Sequence, residues 1–132
     1  MCTQSRILSS LGNVEDAQAI VKGVASVIAV RPDSMNPTRL IMTYVPALGS
    51  KLVARSALAP EGPWSEPVVL ASCDLGGAGP QTFCSGGQQH PELAPPGSLA
   101  LSYDAHWIND GGTSIESAWP RLAVVAVPAD VP

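Results

Sequence analysis

Apolar and polar positions alternate along most of this chain in short runs that stop at proline, glycine or a polar cluster, the rhythm of β-strands rather than of helices. VASVIAVRP at 24–32 is rich in β-branched residues and ends at Pro32. The cluster DSMNPT turns the chain, and RLIMTYVP at 39–46 follows as the second arm of a hairpin. ALGS makes the next turn into KLVARSAL at 51–58, where Leu52, Ala54 and Ser56 alternate with Val53, Arg55 and Ala57. APEGPWSEP then leads into VVLASC at 68–73. Four short antiparallel strands with brief connections predict one meander sheet.

After a Cys-bounded loop the rhythm begins again, with strands expected at QHPELA (89–94), SLALSYDA (98–105) and, beyond the excursion WINDGGTSIESAWP, RLAVVAVPA (121–129). In SLALSYDA, Leu99, Leu101 and Tyr103 share one face while Ser98, Ala100, Ser102 and Asp104 share the other. The expected fold is therefore all-β, about seven strands in two consecutive propeller-like antiparallel blades. Residues 24–73 form the first blade, 88–129 the second, and 1–23 a lead-in segment. Within the lead-in, NVEDAQAIVKG at 13–23 reads either as a short helix, capped by Asn13 and ended by Gly23, or as an extended approach to the first strand.

Composition narrows the function classes. A chain of 132 residues is sized for one domain. Its 13 prolines and 12 glycines, scattered beside 45% hydrophobic residues, describe a folded, turn-rich protein. The net charge is −4 and the basic residues do not cluster, so nucleic acid is not an expected partner. The longest apolar runs, GVASVIAV at 23–30 and LAVVAVPA at 122–129, fall far short of the roughly 20 residues that span a bilayer, so membrane insertion is not expected. MCTQSRILSSLGN does not read as a secretory signal, and the expectation is either a cytosolic chain or the tail of a longer one.

Cys73 and Cys84 flank the loop DLGGAGPQTF, and two strand ends facing each other across it would lie within bonding range. A disulfide is one reading, and two buried free thiols are the other. Cys2 has no evident partner.

The run RSALAPEGPWSEPVVL, the Cys-bounded loop, and then HPEL and LALSYDA together resemble the last blades of bacterial domains of unknown function that adopt a five-bladed propeller similar to glycoside hydrolases of the arabinanase and sialidase type. The resemblance covers roughly residues 24–128. It implies that Trp64 in GPWSEP anchors the loop between outer strands, and that His90, Pro91 and Glu92 open the following blade. It also implies a C-terminal fragment of an exported, extracellular or periplasmic protein that handles carbohydrate. Propeller hydrolases draw their carboxylates from several blades, so the fragment is expected to be inactive alone as a glycosidase, and its open blade edge to favour self-association. Two other readings stand beside this one: a non-catalytic binding or structural module, and an independent β-sandwich.

Within this frame Glu92 and Asp104 are the candidate catalytic carboxylates, because glycosidases use two acids as acid and base or nucleophile. His90, His106 and Trp107 are the candidate substrate-binding residues, Trp107 standing in the polar stretch DAHWINDGG. Trp64 and Trp119 can stack on sugars or fill space between sheets, and packing is the stronger reading for Trp64. The spaced pairs His90/Glu92 and Asp104/His106 carry ligand types that suit zinc, but structural roles in turns account for them better, and neither a metal nor another cofactor is expected. Ser85 in FCSGG lacks the nucleophile-elbow motif, and GGAG at 76–79 is followed by no phosphate-loop lysine.

Overall fold

Pro32 and Pro46 end the first two strands where the alternation places them. In the computed structural model, which describes residues 19–47, 49–73, 82–109, 114–117 and 120–127, strands β1 (Val24–Pro32), β2 (Leu40–Pro46), β3 (Lys51–Ala57) and β4 (Val68–Ser72) pair in chain order as an antiparallel meander. Thr43 sits opposite Ala29 on one side and Ala54 on the other, so the period-two faces of the three strands coincide. The β1–β2 turn is closed by the buried Asp33 carboxylate, which accepts from the Met35 N–H at 2.9 Å and from Arg39 Nη2 at 2.8 Å. At the β2–β3 turn the Gly49 N–H donates to the Pro46 carbonyl at 2.8 Å.

The second sheet holds β5 (Thr82–Gln89), β6 (Ser98–Asn109), β7 (Ser114–Ser117) and β8 (Arg121–Ala126). β5 takes one edge of β6, and β7 and β8 share the other end to end. Ser117 faces His106 and Arg121 faces Tyr103, so the two short strands are halves of a single rank with one extra residue between them. Pro120, which has no N–H to give a ladder, lies in that interruption. The second sheet is therefore three strands wide beside the four of the first, and the all-β class with two antiparallel sheets is as the alternation predicts.

Several expected boundaries are corrected. The strand placed at 89–94 ends at Gln89, and Pro91–Leu93 form a 3-10 turn instead. Pro91 has no N–H for a ladder and its fixed φ suits the first position of such a turn. The sheet begins at Thr82 rather than at 88, because TFCSGGQQ is a strand despite its two glycines. β6 runs on to Asn109, past the expected end at 105, and β7 lies inside the stretch read as an excursion. Residues 19–23 carry no helix; the rest of the segment 13–23, together with Cys2, GGAG at 76–79 and Trp119, lies outside the described residues.

The sheets meet through β5, which lies against β1 and β2, while β8 touches β4 on the far side. Ile41, Val45, Leu52 and Ala54 from the first sheet pack on Cys84, Leu99 and Leu101 from the second. Each large side chain buried there contributes about 1.5–3 kcal/mol. Polar links also cross the seam: Thr43 Oγ1 donates to the Gly87 carbonyl at 2.7 Å, and Gln89 Nε2 donates to the carbonyls of Ala29 (3.2 Å) and Ile41 (3.0 Å). Cys73, after β4, and Cys84, in β5, are joined by a disulfide with their Cα atoms 6.4 Å apart. Disulfides persist in oxidising compartments, so this one points to an extracytoplasmic setting.

The outward faces are different. Ile28, Val30 and Val69 on the first sheet, and Leu122 and Val124 on the second, stay between 39% and 55% exposed. Trp64 covers part of the first sheet's outward face, packing on Met42, Tyr44 and Val53. Its indole N–H donates to the Pro60 carbonyl at 3.0 Å, so Trp64 is a packing residue, in line with the reading made from its sequence context.

Candidate functional site

The polar face of β6 carries most of the residues singled out from the sequence. Because side chains alternate, Ser102, Asp104 and His106 project to the side opposite Leu101 and Ala105, both buried in the core. On β5, Ser85 pairs with Asp104 and Gln88 with Ser102. Two serine–histidine pairs result. His106 Nε2 lies 3.2 Å from Ser85 Oγ, and its ring stacks on Phe83 with centroids 5.2 Å apart. His90, just beyond β5, places Nε2 at 2.7 Å from Ser102 Oγ.

His90 is held from three directions. Its backbone N–H donates to the Ala100 carbonyl at 2.8 Å, which pins the 3-10 turn to β6. Its Nδ1 lies 3.3 Å from Glu92 Oε1, a carboxylate two residues on in the same turn. A carboxylate facing Nδ1 favours the neutral tautomer with its proton there, the one in which Nε2 accepts from the serine hydroxyl. The Glu92 carboxyl is held below its ordinary value: the hydrogen bond from its own backbone N–H is the main cause, partial desolvation opposes it, and the His90 imidazole and the Arg31 guanidinium add to the lowering. A lowered folded-state value means that any stability from this interaction is present at neutral pH and is lost as the pH falls through the folded-state value, in acid.

The His90–Ser102 pair separates two clefts. Arg31, Met35, His90, Pro91 and Leu99 line one of about 300 Å³. Val27, Gln88, Ser102, Asp104 and Pro120 line the other, also about 300 Å³. The second exists because β6 is flanked by two irregularities at this level. On one side a bulge lies between Gly86 and Gln88, and on the other the rank of β7 and β8 is interrupted at Pro120. Bulges of this kind open sheets next to functional sites.

The two candidate carboxylates thus have different surroundings. Asp104 lines the second cleft, whereas Glu92 is not among its walls and engages His90 instead. Among the candidate binding residues, His90 borders the first cleft, His106 is engaged by Ser85 and Phe83, and Trp107 is half-buried opposite Thr82 near the end of β6. Among the described residues no group of three or more His, Cys, Asp or Glu converges as a metal site, so the two spaced pairs do not form one ligand set. Ser102 and Gln88 were missed from the sequence. The alternation of SLALSYDA places Ser102 on the polar face with Asp104, but the bulge that sets Gln88 opposite it leaves no sequence signal beyond the glycine pair.

Compared with protein-family models, with curated proteins and with solved structures, the chain matches none of them, so the site is read from its own geometry.

Proposed function

We propose that this chain is a pair of blades from a propeller-type protein of the extracellular or periplasmic space, and that it binds carbohydrate. The observation that carries the sugar reading is the cleft lined by Gln88, Ser102 and Asp104 between the apolar side chains of Val27 and Pro120. A carboxamide, a hydroxyl and a carboxylate beside apolar walls match a sugar's hydroxyl edge and its C–H face. The blade reading is supported by the two stacked antiparallel sheets, sealed where they face each other, with exposed apolar side chains outward at Ile28, Val30 and Val69 on the first and at Leu122 and Val124, beside the polar face of β6, on the second. Such faces suit burial against further sheets of the same kind. Glu92 and Asp104 are not brought to one cleft, which favours binding over glycosidic cleavage by this chain alone. A second reading, a structural module without glycan chemistry, draws on the engagement of Glu92 with His90 and its own backbone.

Isothermal titration with neutral oligosaccharides, arabinan fragments included, is expected to give saturable heat. Asp104→Ala should weaken that binding about tenfold, the loss of one hydrogen bond to a charged acceptor. No heat with any oligosaccharide, or an unchanged affinity in Asp104→Ala, would end the carbohydrate reading of this cleft.

A further inference from the structure

The arrangement around His90 has a chemical meaning that sugar binding does not use. Its two ring nitrogens are engaged on opposite sides, Nε2 by the Ser102 hydroxyl at 2.7 Å and Nδ1 by the Glu92 carboxylate at 3.3 Å. That is the order of groups, hydroxyl to imidazole to carboxylate, that activates a serine in unrelated folds, where it is recognised by geometry rather than by sequence order. All three side chains come from β6 and from the turn that the His90 N–H ties to it, so no missing part of a larger protein is needed to assemble them. Ser102 also opens on a cleft of about 300 Å³, room for a small acyl group. Within that cleft Asp104 carries the formal charge, which disfavours anionic substrates.

We propose that Ser102, His90 and Glu92 form a hydrolytic relay that cleaves short acyl esters of uncharged alcohols. Ser102 Oγ attacks the ester carbonyl carbon, and its proton passes to His90 Nε2 as the C–O bond forms. The negative charge appears on the carbonyl oxygen, where the carboxamide of Gln88, opposite Ser102 in the sheet, donates to it. Collapse breaks the bond to the alcohol oxygen, which leaves with the proton from His90. Water then attacks the acyl-serine with His90 again taking and returning the proton, releasing the carboxylic acid and restoring the hydroxyl. Ser102 and His90 are the catalytic residues, and Glu92 is a positioning residue that holds the imidazole in the tautomer the step needs.

The full chain treated with a fluorophosphonate probe and mapped by peptide mass spectrometry tests this without any variant, since the adduct is expected on Ser102. Ser102→Ala should lose the adduct and the turnover of p-nitrophenyl acetate, and His90→Gln should slow labelling about 100-fold. Glu92→Gln should lower kcat at least about tenfold and leave KM unchanged, the sign of a positioning role rather than of a binding one. Near-UV circular dichroism matching the parent chain shows that each variant is folded. A wild-type chain that takes no label, takes it at another residue, or reacts no faster than His90→Gln overturns the relay. Failure of the relay leaves the carbohydrate reading standing, since that is decided by titration of the unlabelled parent chain and of Asp104→Ala.

Discussion

Gly87→Ala is expected to destabilise the protein by about 3 kcal/mol or more, through backbone strain and overpacking at once. Gly87 has φ +98°, a conformation that a residue with a Cβ adopts only under strain. It also lies against the backbone of the first sheet: an added Cβ would stand 3.0 Å from Tyr44 Cα and 3.2 Å from its nitrogen. Backbone cannot swing aside as a long side chain can, so β5 would have to lift from β2. That movement would stretch the bond from Thr43 Oγ1 to the Gly87 carbonyl and disturb the two bonds from Gln89 beside it. Gly23→Ala is the matched control. Gly23 also has positive φ, at +72°, but an added Cβ there meets nothing within 4 Å. It should cost about 1 kcal/mol, the conformational penalty alone. Urea unfolding followed by tryptophan fluorescence measures both variants, and equal midpoints would contradict the close approach at Gly87.

Removing the disulfide with Cys73→Ser and Cys84→Ser is expected to cost about 3 kcal/mol in the chain-entropy model, since it releases a loop 11 residues apart in sequence. The location adds to the effect. Both sulfurs are in the core, each residue 1% exposed, so each substitution also buries a hydroxyl in an apolar cluster with Leu52 and Leu101. Cys84 is further tied to the first sheet by its N–H, which donates to the Gly49 carbonyl at 2.8 Å. The bond therefore fastens β4 to the start of β5, next to a place where the sheets already meet. Unfolding in urea with and without dithiothreitol gives the comparison. A reduced protein as stable as the oxidised one would show that the bridge does not constrain the unfolded chain.

The first sheet was legible because its strands obey simple rules. β-branched runs end at Pro32 and at Pro46, and alternation separates Leu52, Ala54 and Ser56 from Val53, Arg55 and Ala57 as the two faces of β3, though which of them turns inward is settled only by the packing. The polar face of β6 was legible for the same reason. The second sheet was harder to read at β5, since TFCSGGQQ has few residues that favour strands and its glycines mark a bulge rather than a loop. β7 was hidden because a rank broken near Pro120 does not look like one strand in sequence. Individual site residues, His90, Glu92 and Asp104, stood out by type, but their partners did not. That His90 meets Ser102, twelve positions away, follows from a turn anchored to Ala100, and no local spacing announces such a contact.

The broken rank on β6 also bears on where this sheet breathes. Between Tyr103, the last position that β8 pairs, and His106, the first that β7 pairs among the described residues, β6 changes partner on one edge while β5 ladders the other throughout. Brief separations of the strands would therefore begin in the middle of β6, beside Asp104, rather than by fraying from its ends. A guest molecule would then gain space where β6 exchanges one partner for the next, while the disulfide and the tightly packed inner face keep the rest of the sheet in register.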